Sequence, residues 1–402
     1  KANREIRRVC RGGILAPCFS TELSANLPLE QRDPTHKVLR DFYWWRERFP
    51  PEFEIWEGAD ETWRLANQFK VLVISTSNIP VGQEAYGGIE RLAFLLTREL
   101  VKRGIDTTVA APTGSRVPRG AKYFDTGPAN PSDYEGLMAF SILRPIVEEF
   151  NVILDLSHSH LTGRLLPYHT RTINPIWHAP SIMKPPEPQY NVTALSQWQA
   201  ETYYYSQGRK ARVLDIHTLD EENHFERSPG EGYLMIGKLT SRKGVPEGIE
   251  LCQELGVELD IVGGLGEDPV FNEKVKTLCN GNIKYWGELP NKTVLQLASQ
   301  SKALIYPLQE DEAHSHKSVE ALSCGCPVIV YDRSASREYV EHEEDGFVAR
   351  DREEFKKYML QVGELDRDLI KKRAWERWGP RAIGDSSFLF LQRFQGEQGG
   401  KL

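Results

Sequence analysis

The sequence has no apolar run close to the ~18 residues of a membrane-spanning helix, so we expect no helix that crosses a bilayer. Its net charge of −7 shows no excess of basic residues and argues against nucleic acid as a partner. The six cysteines include no C-x-x-C pair, which favours free thiols in a reducing cytoplasm over a disulfide framework. The basic start, KANREIRRVCRGG, lacks the apolar core of a secretory signal.

The composition is that of a soluble globular protein: 402 residues, 40% hydrophobic and 27% charged, enough for two or three domains. From about residue 69 onwards, apolar strand-like runs alternate with helical patterns, which predicts α/β domains with parallel sheets. We place one domain at 69–228 and a second at 229–385, joined by a Pro-Gly-Glu-Gly linker at 229–232. Residues 386–402 form a closing helix and tail in this interpretation.

One stretch of the second domain carries the clearest chemical signal. Residues 303–306 and 327–330 are predicted strands, with a polar loop and a helix at 318–323 between them. Glu312 in the loop and Glu320 in the helix are separated by seven residues. Carboxylates accept hydrogen bonds from hydroxyls, and a helix N-terminus favours phosphate, so together they indicate a nucleotide sugar. The alternative is that both glutamates are solvated, with Glu near a helix start favoured by the helix dipole.

The pattern Glu312-x7-Glu320, followed by Ala321 and later by Pro327-Val328-Ile329, resembles the E-x7-E signature of retaining GT-B glycosyltransferases, glycosyltransferase family 4-like. His314 and Ser315 stand where that family commonly has Phe-Gly. Further segments resemble family elements in the same order along residues 69–394. These are Tyr86-Gly87-Gly88-Ile89-Glu90, the Gly237 to Gly244 loop with Lys238 and Lys243, Gly263-Gly264-Leu265-Gly266, and Glu288-Leu289.

The resemblance implies two Rossmann-like domains that face each other across a cleft, with the final helix crossing back to the first domain. The first domain would take the acceptor, which is a lipid, a saccharide or a small molecule, and the second a UDP- or GDP-sugar donor. The implied reaction is hexosyl transfer with retained anomeric configuration and no cofactor or metal. Asp366 and Asp368 lie in a late helical region, and His158 and His160 have no third ligand nearby, so the sequence predicts no metal site.

The same resemblance assigns roles to residues. The implied catalytic residues are His158, near the reacting sugar, Glu312, which holds donor-sugar hydroxyls, and Lys243, which neutralises the leaving diphosphate. Glu320 would hold the ribose hydroxyls. The implied donor-binding residues are Gly87, Gly88, Lys238, Lys243, Gly264, Glu288, Leu289, Glu312, His314, Ser315 and Glu320.

Two other functions stay open at the sequence level. The unusual His314-Ser315 and Lys238 positions are compatible with a non-catalytic scaffold or binding subunit that has kept the fold. Another GT-B enzyme, such as a nucleotide-sugar epimerase or a phosphorylase, is the second alternative.

Residues 1–68 lie outside the resemblance and are unusually aromatic from Phe42 to Trp63. Because exposed aromatic clusters are unfavourable in water, we expect Trp44, Trp45 and Trp56 to be mostly buried. Packing on the chain's own domains is the favoured interpretation. A second copy of the chain, or peripheral contact with the inner face of a membrane, is the alternative.

Overall fold

The chain forms two α/β domains, each built around one parallel sheet. The computed structural model describes residues 55–57, 63–65, 70–83, 87–130, 133–165, 171–177, 191–207, 211–214, 216, 219–220 and 230–399. The side chains of Trp44, Trp45 and Trp56, whose burial is predicted above, lie outside the described residues. Within 1–68 the described part is an antiparallel pair of short strands, β1 (Ile55–Glu57) and β2 (Trp63–Leu65).

The first domain has a parallel sheet with short connecting helices. Its described strands are β3 (Lys70–Ile74), β4 (Asp106–Ala111), β5 (Lys122–Asp125), β6 (Val152–Asp155), β7 (Thr172–Pro175), β8 (Val192–Ala194) and β9 (Arg212–Val213). The helices are α1 (Gly88–Lys102), α2 (Asp133–Leu143), α3 (Leu161–Leu165) and α4 (Gln197–Gln207). The strands lie in the order β5-β4-β3-β6-β7-β8-β9. Residues 71–74 of β3 are buried, as expected for a strand covered on both faces.

The second domain repeats this architecture. Its strands are β10 (Tyr233–Ile236), β11 (Leu259–Val262), β12 (Ile283–Gly287), β13 (Ala303–Tyr306), β14 (Val328–Tyr331) and β15 (Gly346–Ala349). The helices are α5 (Val245–Leu255), α6 (Pro269–Leu278), α7 (Asn291–Gln300), α8 (His316–Ser323), α9 (Arg352–Gln361), α10 (Arg367–Trp378) and α11 (Pro380–Gly399). The strand order is β12-β11-β10-β13-β14-β15. The order reverses between β10 and β13, and ligands of such sheets bind outside the carboxyl ends of the strands at that point.

Several predicted elements differ from the structure. Dense glycine and proline between residues 113 and 131 predict a loop, but the stretch contains β5, an edge strand whose residues are mostly exposed and therefore form no apolar run. The sequence also predicts a helix over 133–150, but the helix ends at Leu143, because Pro145 disfavours a helical conformation for the residue before it. The helix predicted at 318–323 begins two residues earlier, at His316. Helix α6 lies where no element is predicted, although Asp268 caps it and Pro269 is its first residue, a common start signal.

The last helix joins the two domains. Leu391 of α11 belongs to the apolar core of the first domain, and α11 packs against α1. The guanidinium of Arg103 donates to Asp385 Oδ1 from Nε at 2.9 Å and from Nη2 at 2.6 Å. Helix α11, which follows the second domain in the sequence, therefore packs on the first domain and links the two. Among the helices that the structure describes, none has both the length and the apolar composition needed to span a membrane.

Candidate active site

A cavity of about 770 Å³ lies between the two domains, at the carboxyl ends of β10, β11 and β13. The first domain contributes Gly87, Gly88 and Arg91 to its described lining. The second domain contributes Ile236, Gly237, Lys238, Lys243, Val262, Gly263, Glu288, Leu289, Pro290, Asn291, Val294, Tyr306, Glu312, His314, Ser315, His316, Lys317 and Glu320. The cavity therefore sits where the strand order of the second sheet reverses.

One wall holds a connected group of Lys243, Glu312 and Tyr306. The ammonium of Lys243 forms a close ion pair with Glu312, and the Tyr306 hydroxyl donates to the same carboxylate. Lys243 also donates to the Tyr306 hydroxyl at 3.0 Å. Burial, then the nearby cations Lys317 and Arg242, lower the pKa of Lys243, while the contact with Glu312 opposes this shift. Lys243, Lys317 and Arg242 together carry more positive charge than Glu312 alone can balance, so this group favours the binding of an anion.

The position of Lys243 depends on the glycine that follows it. A 3₁₀ turn, Ser241–Lys243, ends at Gly244, which has a φ of 70°. This left-handed conformation is unfavourable for other residues, and a Cβ on Gly244 would overlap the carbonyl oxygen of Pro307. The Lys-Gly pair is therefore a geometric requirement for a turn that sends Lys243 into the cavity.

A second charged group surrounds Glu320 in helix α8. Its Oε1 accepts from Arg91 Nη1 at 2.5 Å and from Asn291 Nδ2 at 2.8 Å, and lies 3.4 Å from His316 Nε2. The side chains of Arg91 and Glu320 are 7% and 9% exposed, so this ion pair between the domains is nearly buried. Burial alone would raise the pKa of Glu320, but His316, Arg91 and the Asn291 hydrogen bond hold it well below its usual range. Glu320 is therefore an ionised acceptor at neutral pH.

The two unusual positions in the E-x7-E segment cause no backbone strain. Ser315, where the family commonly has glycine, has a φ of −124°, which any residue can adopt. It directly precedes α8, and its hydroxyl lies 2.6 Å from that of Ser318. His314 contacts Trp177 of the first domain edge-on, with 6.3 Å between ring centroids. Ser315 therefore fits the loop without strain, and His314 forms a contact between the domains.

A second cavity of about 460 Å³ shares Gly87, Gly88, His314 and His316 with the first. Its other described lining residues are Asn78, Ile79, Ile89, Glu90, Leu92, His158, Trp177, Leu195 and Ile216. Most of these are apolar. Burial raises the pKa of Glu90, whose carboxylate accepts from the Thr76 hydroxyl. Because the two cavities share these lining residues, the second cavity adjoins the first.

The two histidines after β6 occupy different environments. His158 is exposed and lines the second cavity. His160 is buried, has a φ of 45°, and its Nδ1 lies 3.2 Å from the carbonyl oxygen of Asp155. His160 therefore belongs to the local structure of the strand end, whereas His158 faces the space between the domains.

The structure gathers most of the predicted donor residues around one cavity. Gly264 is the exception: it is absent from the described lining, and its carbonyl oxygen accepts from Leu239 N at 2.9 Å. Lys238 lines the cavity but its side chain is 55% exposed. Sequence reasoning missed Arg91, Tyr306, Asn291, His316 and Lys317 as site residues. Arg91 and Asn291 carry no local signal, because only the packing of α1, α7 and α8 brings them to Glu320.

A metal site is not evident in the same region. Among residues that the structure describes, no three or more His, Cys, Asp or Glu side chains are grouped so that they could hold a metal ion.

Comparison with known proteins agrees with this architecture. Residues 219–378 match the family model described as Glycosyl transferases group 1. No curated protein matches the chain by sequence.

Similar solved structures share the fold at low sequence identity. AviGT4, a glycosyltransferase involved in avilamycin A biosynthesis, is 18% identical with a TM-score of 0.65, covering 82% of this chain and 98% of its own. HepE of Anabaena, in complex with UDP and glucose, is 15% identical with a TM-score of 0.61, covering 81% and 100%. Sucrose-phosphate synthase of Thermosynechococcus elongatus is 16% identical with a TM-score of 0.61, covering 82% and 100%. The chain therefore has a GT-B fold, and its second domain matches the Glycosyl transferases group 1 model over residues 219–378.

Proposed function

We propose that this protein transfers a sugar from a UDP- or GDP-linked donor to an acceptor, with retained anomeric configuration and without a metal ion. The observation that carries the proposal is the pairing of Lys243 with Glu312 in a cavity faced by Gly87 and Gly88. Lys243 can neutralise a leaving diphosphate, while Glu312 accepts hydrogen bonds from sugar hydroxyls. Retention of configuration rests on the E-x7-E resemblance.

Each group then has a physical role. Negative charge grows on the diphosphate as the sugar leaves, and a cation already in place lowers the free energy of that transition state. Lys243 supplies this charge, and Lys238 lies in the same loop. Glu320, kept ionised by its neighbours, is an acceptor for the ribose hydroxyls. The first domain covers the cavity and limits hydrolysis of the donor by water.

The adjoining cavity gives the acceptor a place beside the donor. It shares its Gly87-Gly88 wall with the donor cavity, and His158 lines it. In this arrangement His158 lies near the reacting sugar. Lipid, saccharide and small-molecule acceptors all remain candidates. HepE was solved with UDP and glucose, which makes UDP-sugars the first donors to test on this chain.

The test begins with donor binding. A panel of nucleotide sugars is screened by thermal shift, where a ligand at 100 times its dissociation constant stabilises the fold by about 2.7 kcal/mol. The stabilising donor is then incubated with candidate acceptors, and free nucleoside diphosphate is measured with and without EDTA. We expect acceptor-dependent release that EDTA does not reduce, and a product whose anomeric configuration by NMR matches that of the donor.

Other outcomes identify the alternatives. Donor binding without turnover over a broad acceptor panel would indicate a binding subunit. Conversion of the donor without any acceptor would indicate an epimerase, and phosphate-dependent cleavage of a saccharide would indicate a phosphorylase. Loss of activity in EDTA, restored by Mg²⁺ or Mn²⁺, would refute the metal-free part of the proposal.

A further inference from the structure

Lys317 is a cation of the cavity to which the E-x7-E resemblance assigns no role. It lies in the first turn of helix α8 and is partly buried. Its Nζ lies 5.3 Å from the centroid of the Tyr306 ring, and Nζ of Lys243 lies 5.7 Å from the same centroid. Both ammonium groups therefore lie close to one aromatic ring on the wall of the cavity.

The surroundings of Lys317 leave its charge unbalanced. Lys243 is paired with Glu312 and Arg91 with Glu320, but no carboxylate among the described residues forms an ion pair with Lys317. Two cations that lie close together in a partly desolvated cavity repel each other, which disfavours the charged form of each. Lys317 contributes to the lowered pKa of Lys243, as this repulsion predicts. A bound anion would offset the repulsion between the two ammonium groups.

Gly237 lies beside both lysines on the wall of the cavity. Nζ of Lys317 is 3.1 Å from the place that a Cβ would occupy on Gly237, whose φ is 155°. A side chain at Gly237 would crowd the ammonium of Lys317, so the glycine allows Lys317 to reach this part of the wall. Helix α8 also begins here, and its first N–H groups favour negative charge. Two cations, the Gly237 backbone and the N-terminus of helix α8 therefore lie on the same wall of the cavity.

Lys238 fits this role less well. It lines the cavity, but its side chain is 55% exposed and its Nζ lies 4.0 Å from Glu267, which is itself 97% exposed. A solvated, mobile ammonium holds a phosphate less firmly than one fixed over an aromatic ring.

We propose that Lys317 and Lys243 together hold the diphosphate of the donor, so that Lys317 serves as the second phosphate cation of the site. This inference rests on the proposed function and adds a second phosphate-binding residue to its donor site. Two adjacent cations match the two charges of the diphosphate in the proposed UDP- or GDP-linked donor. As the diphosphate leaves, Lys317 stabilises the growing charge together with Lys243.

The test is calorimetric titration of the full chain with UDP, GDP, ADP and the matching nucleosides at two salt concentrations. Lys317→Met removes the charge, Lys317→Arg keeps it, and Lys292→Met is the control for an exposed lysine one residue beyond Asn291. Lys238→Met is measured in parallel. Melting temperatures establish that each variant is folded.

We expect Lys317→Met to weaken nucleoside diphosphate binding about tenfold or more, as for the loss of one charge-assisted hydrogen bond. Nucleoside affinity should change little, and the salt dependence of diphosphate binding should become shallower. Lys317→Arg should retain most of the affinity, and Lys238→Met should have the smaller effect. With the donor identified, Lys317→Met should lower kcat as well as raise KM.

Two results would overturn the inference while the proposed function stands. One is wild-type binding of a nucleoside diphosphate that Lys317→Met leaves unchanged. The other is a loss of equal size for nucleoside and nucleoside diphosphate. If the wild-type protein binds none of the nucleoside diphosphates or nucleotide sugars, the proposed function itself fails, and this inference fails with it.

Discussion

The two walls of the cavity are built differently. In the second domain, one loop supplies Lys238 and Lys243, and one loop–helix segment supplies Glu312, Lys317 and Glu320. In the first domain, Arg91 is the charged side chain of the described lining, beside two glycines. The second wall thus holds most of the charged side chains of the described lining, and the first wall faces them.

This difference separates two kinds of interaction. The group around Lys243 lies entirely within one domain and survives any movement of the other. The group around Glu320 includes Arg91 and exists only when the domains are together. Closure is therefore coupled to the carboxylate that we assign to the ribose. Variants on the two walls should have effects of different size and kind.

The largest effect is expected on the second wall. Lys243→Ala removes the buried cation of the proposed diphosphate site, and loss of one group that stabilises transition-state charge typically costs about 10²–10³ in kcat. We expect the rate of acceptor-dependent diphosphate release to fall by that order, and a melting curve establishes that the variant is folded. Lys292→Met serves as the matched control for loss of one lysine. A variant that keeps more than half of the wild-type turnover would remove Lys243 from the reaction.

The next effect concerns the contact between the walls. Arg91→Gln leaves the buried carboxylate of Glu320 without its guanidinium, and such a loss costs roughly 1.5–3 kcal/mol. We expect the free energy of unfolding to fall by this amount, measured by urea denaturation. Arg119→Gln, at an exposed position of the same domain, is the control and should be nearly neutral.

A double-mutant cycle tests whether Arg91 stabilises the protein through Glu320. Glu320→Gln alone should also weaken nucleotide binding, since it removes an ionised acceptor. If Arg91 acts through Glu320, the Arg91→Gln and Glu320→Gln effects on stability are not additive. Additive effects would show that the two side chains contribute independently, against the contact in the structure.

The same contact predicts a pH dependence. The pKa of Glu320 is depressed in the folded protein, so its contribution to stability is present above the unfolded value of about 4.3 and is lost as pH falls through the folded value. The stability difference between wild type and Glu320→Gln should therefore persist from pH 7 down to about pH 5. It should shrink below about pH 4.3. A difference that already disappears near pH 6 would mean that the group that titrates is not Glu320.

The contrast between the walls also explains what the sequence could predict. The sequence predicts strands at 233–236 and 259–262 as well as at 303–306, because buried parallel strands are short apolar runs between clear breaks. All three have the predicted bounds, Tyr233–Ile236, Leu259–Val262 and Ala303–Tyr306. The charged residues of the second wall follow these strands directly. Their convergence is a consequence of parallel topology, which the sequence already indicated.

The rest depends on contacts that no local pattern encodes. Arg91 lies 229 positions from Glu320, and its role appears only once α1 and α8 are packed together. Strand β5 is too exposed to form an apolar run. Lys317 carried a local signal, a lysine between the two glutamates, but a solvated helix start explains such a residue equally well until the Tyr306 ring and Gly237 are seen beside it.

The smallest expected effect tests a contact between the domains away from the cavity. Glu338 of the second domain accepts from Gln197 N at 2.9 Å and from Trp198 N at 2.5 Å, so its carboxylate caps the N-terminus of α4 in the first domain. Neighbouring bonds reinforce this contact: the Ser196 hydroxyl donates to the Ala313 carbonyl at 2.7 Å, and the Tyr339 hydroxyl to that of Leu195 at 3.3 Å. The cap is therefore one of several links rather than a sole hinge.

Glu338→Ala should lower the free energy of unfolding by about 1 kcal/mol, the usual cost of losing an N-terminal cap. Glu338→Gln keeps a carbonyl acceptor and should recover part of that loss, and Glu341→Ala is the exposed control. Because the cap joins the two walls only when they are closed, Glu338→Ala should also raise the KM for donor slightly, with kcat unchanged. If Glu338→Ala and Glu341→Ala are equally stable and Glu338→Ala has the wild-type KM, closure does not depend on this cap, and the Arg91–Glu320 pair becomes the main candidate for the contact that does.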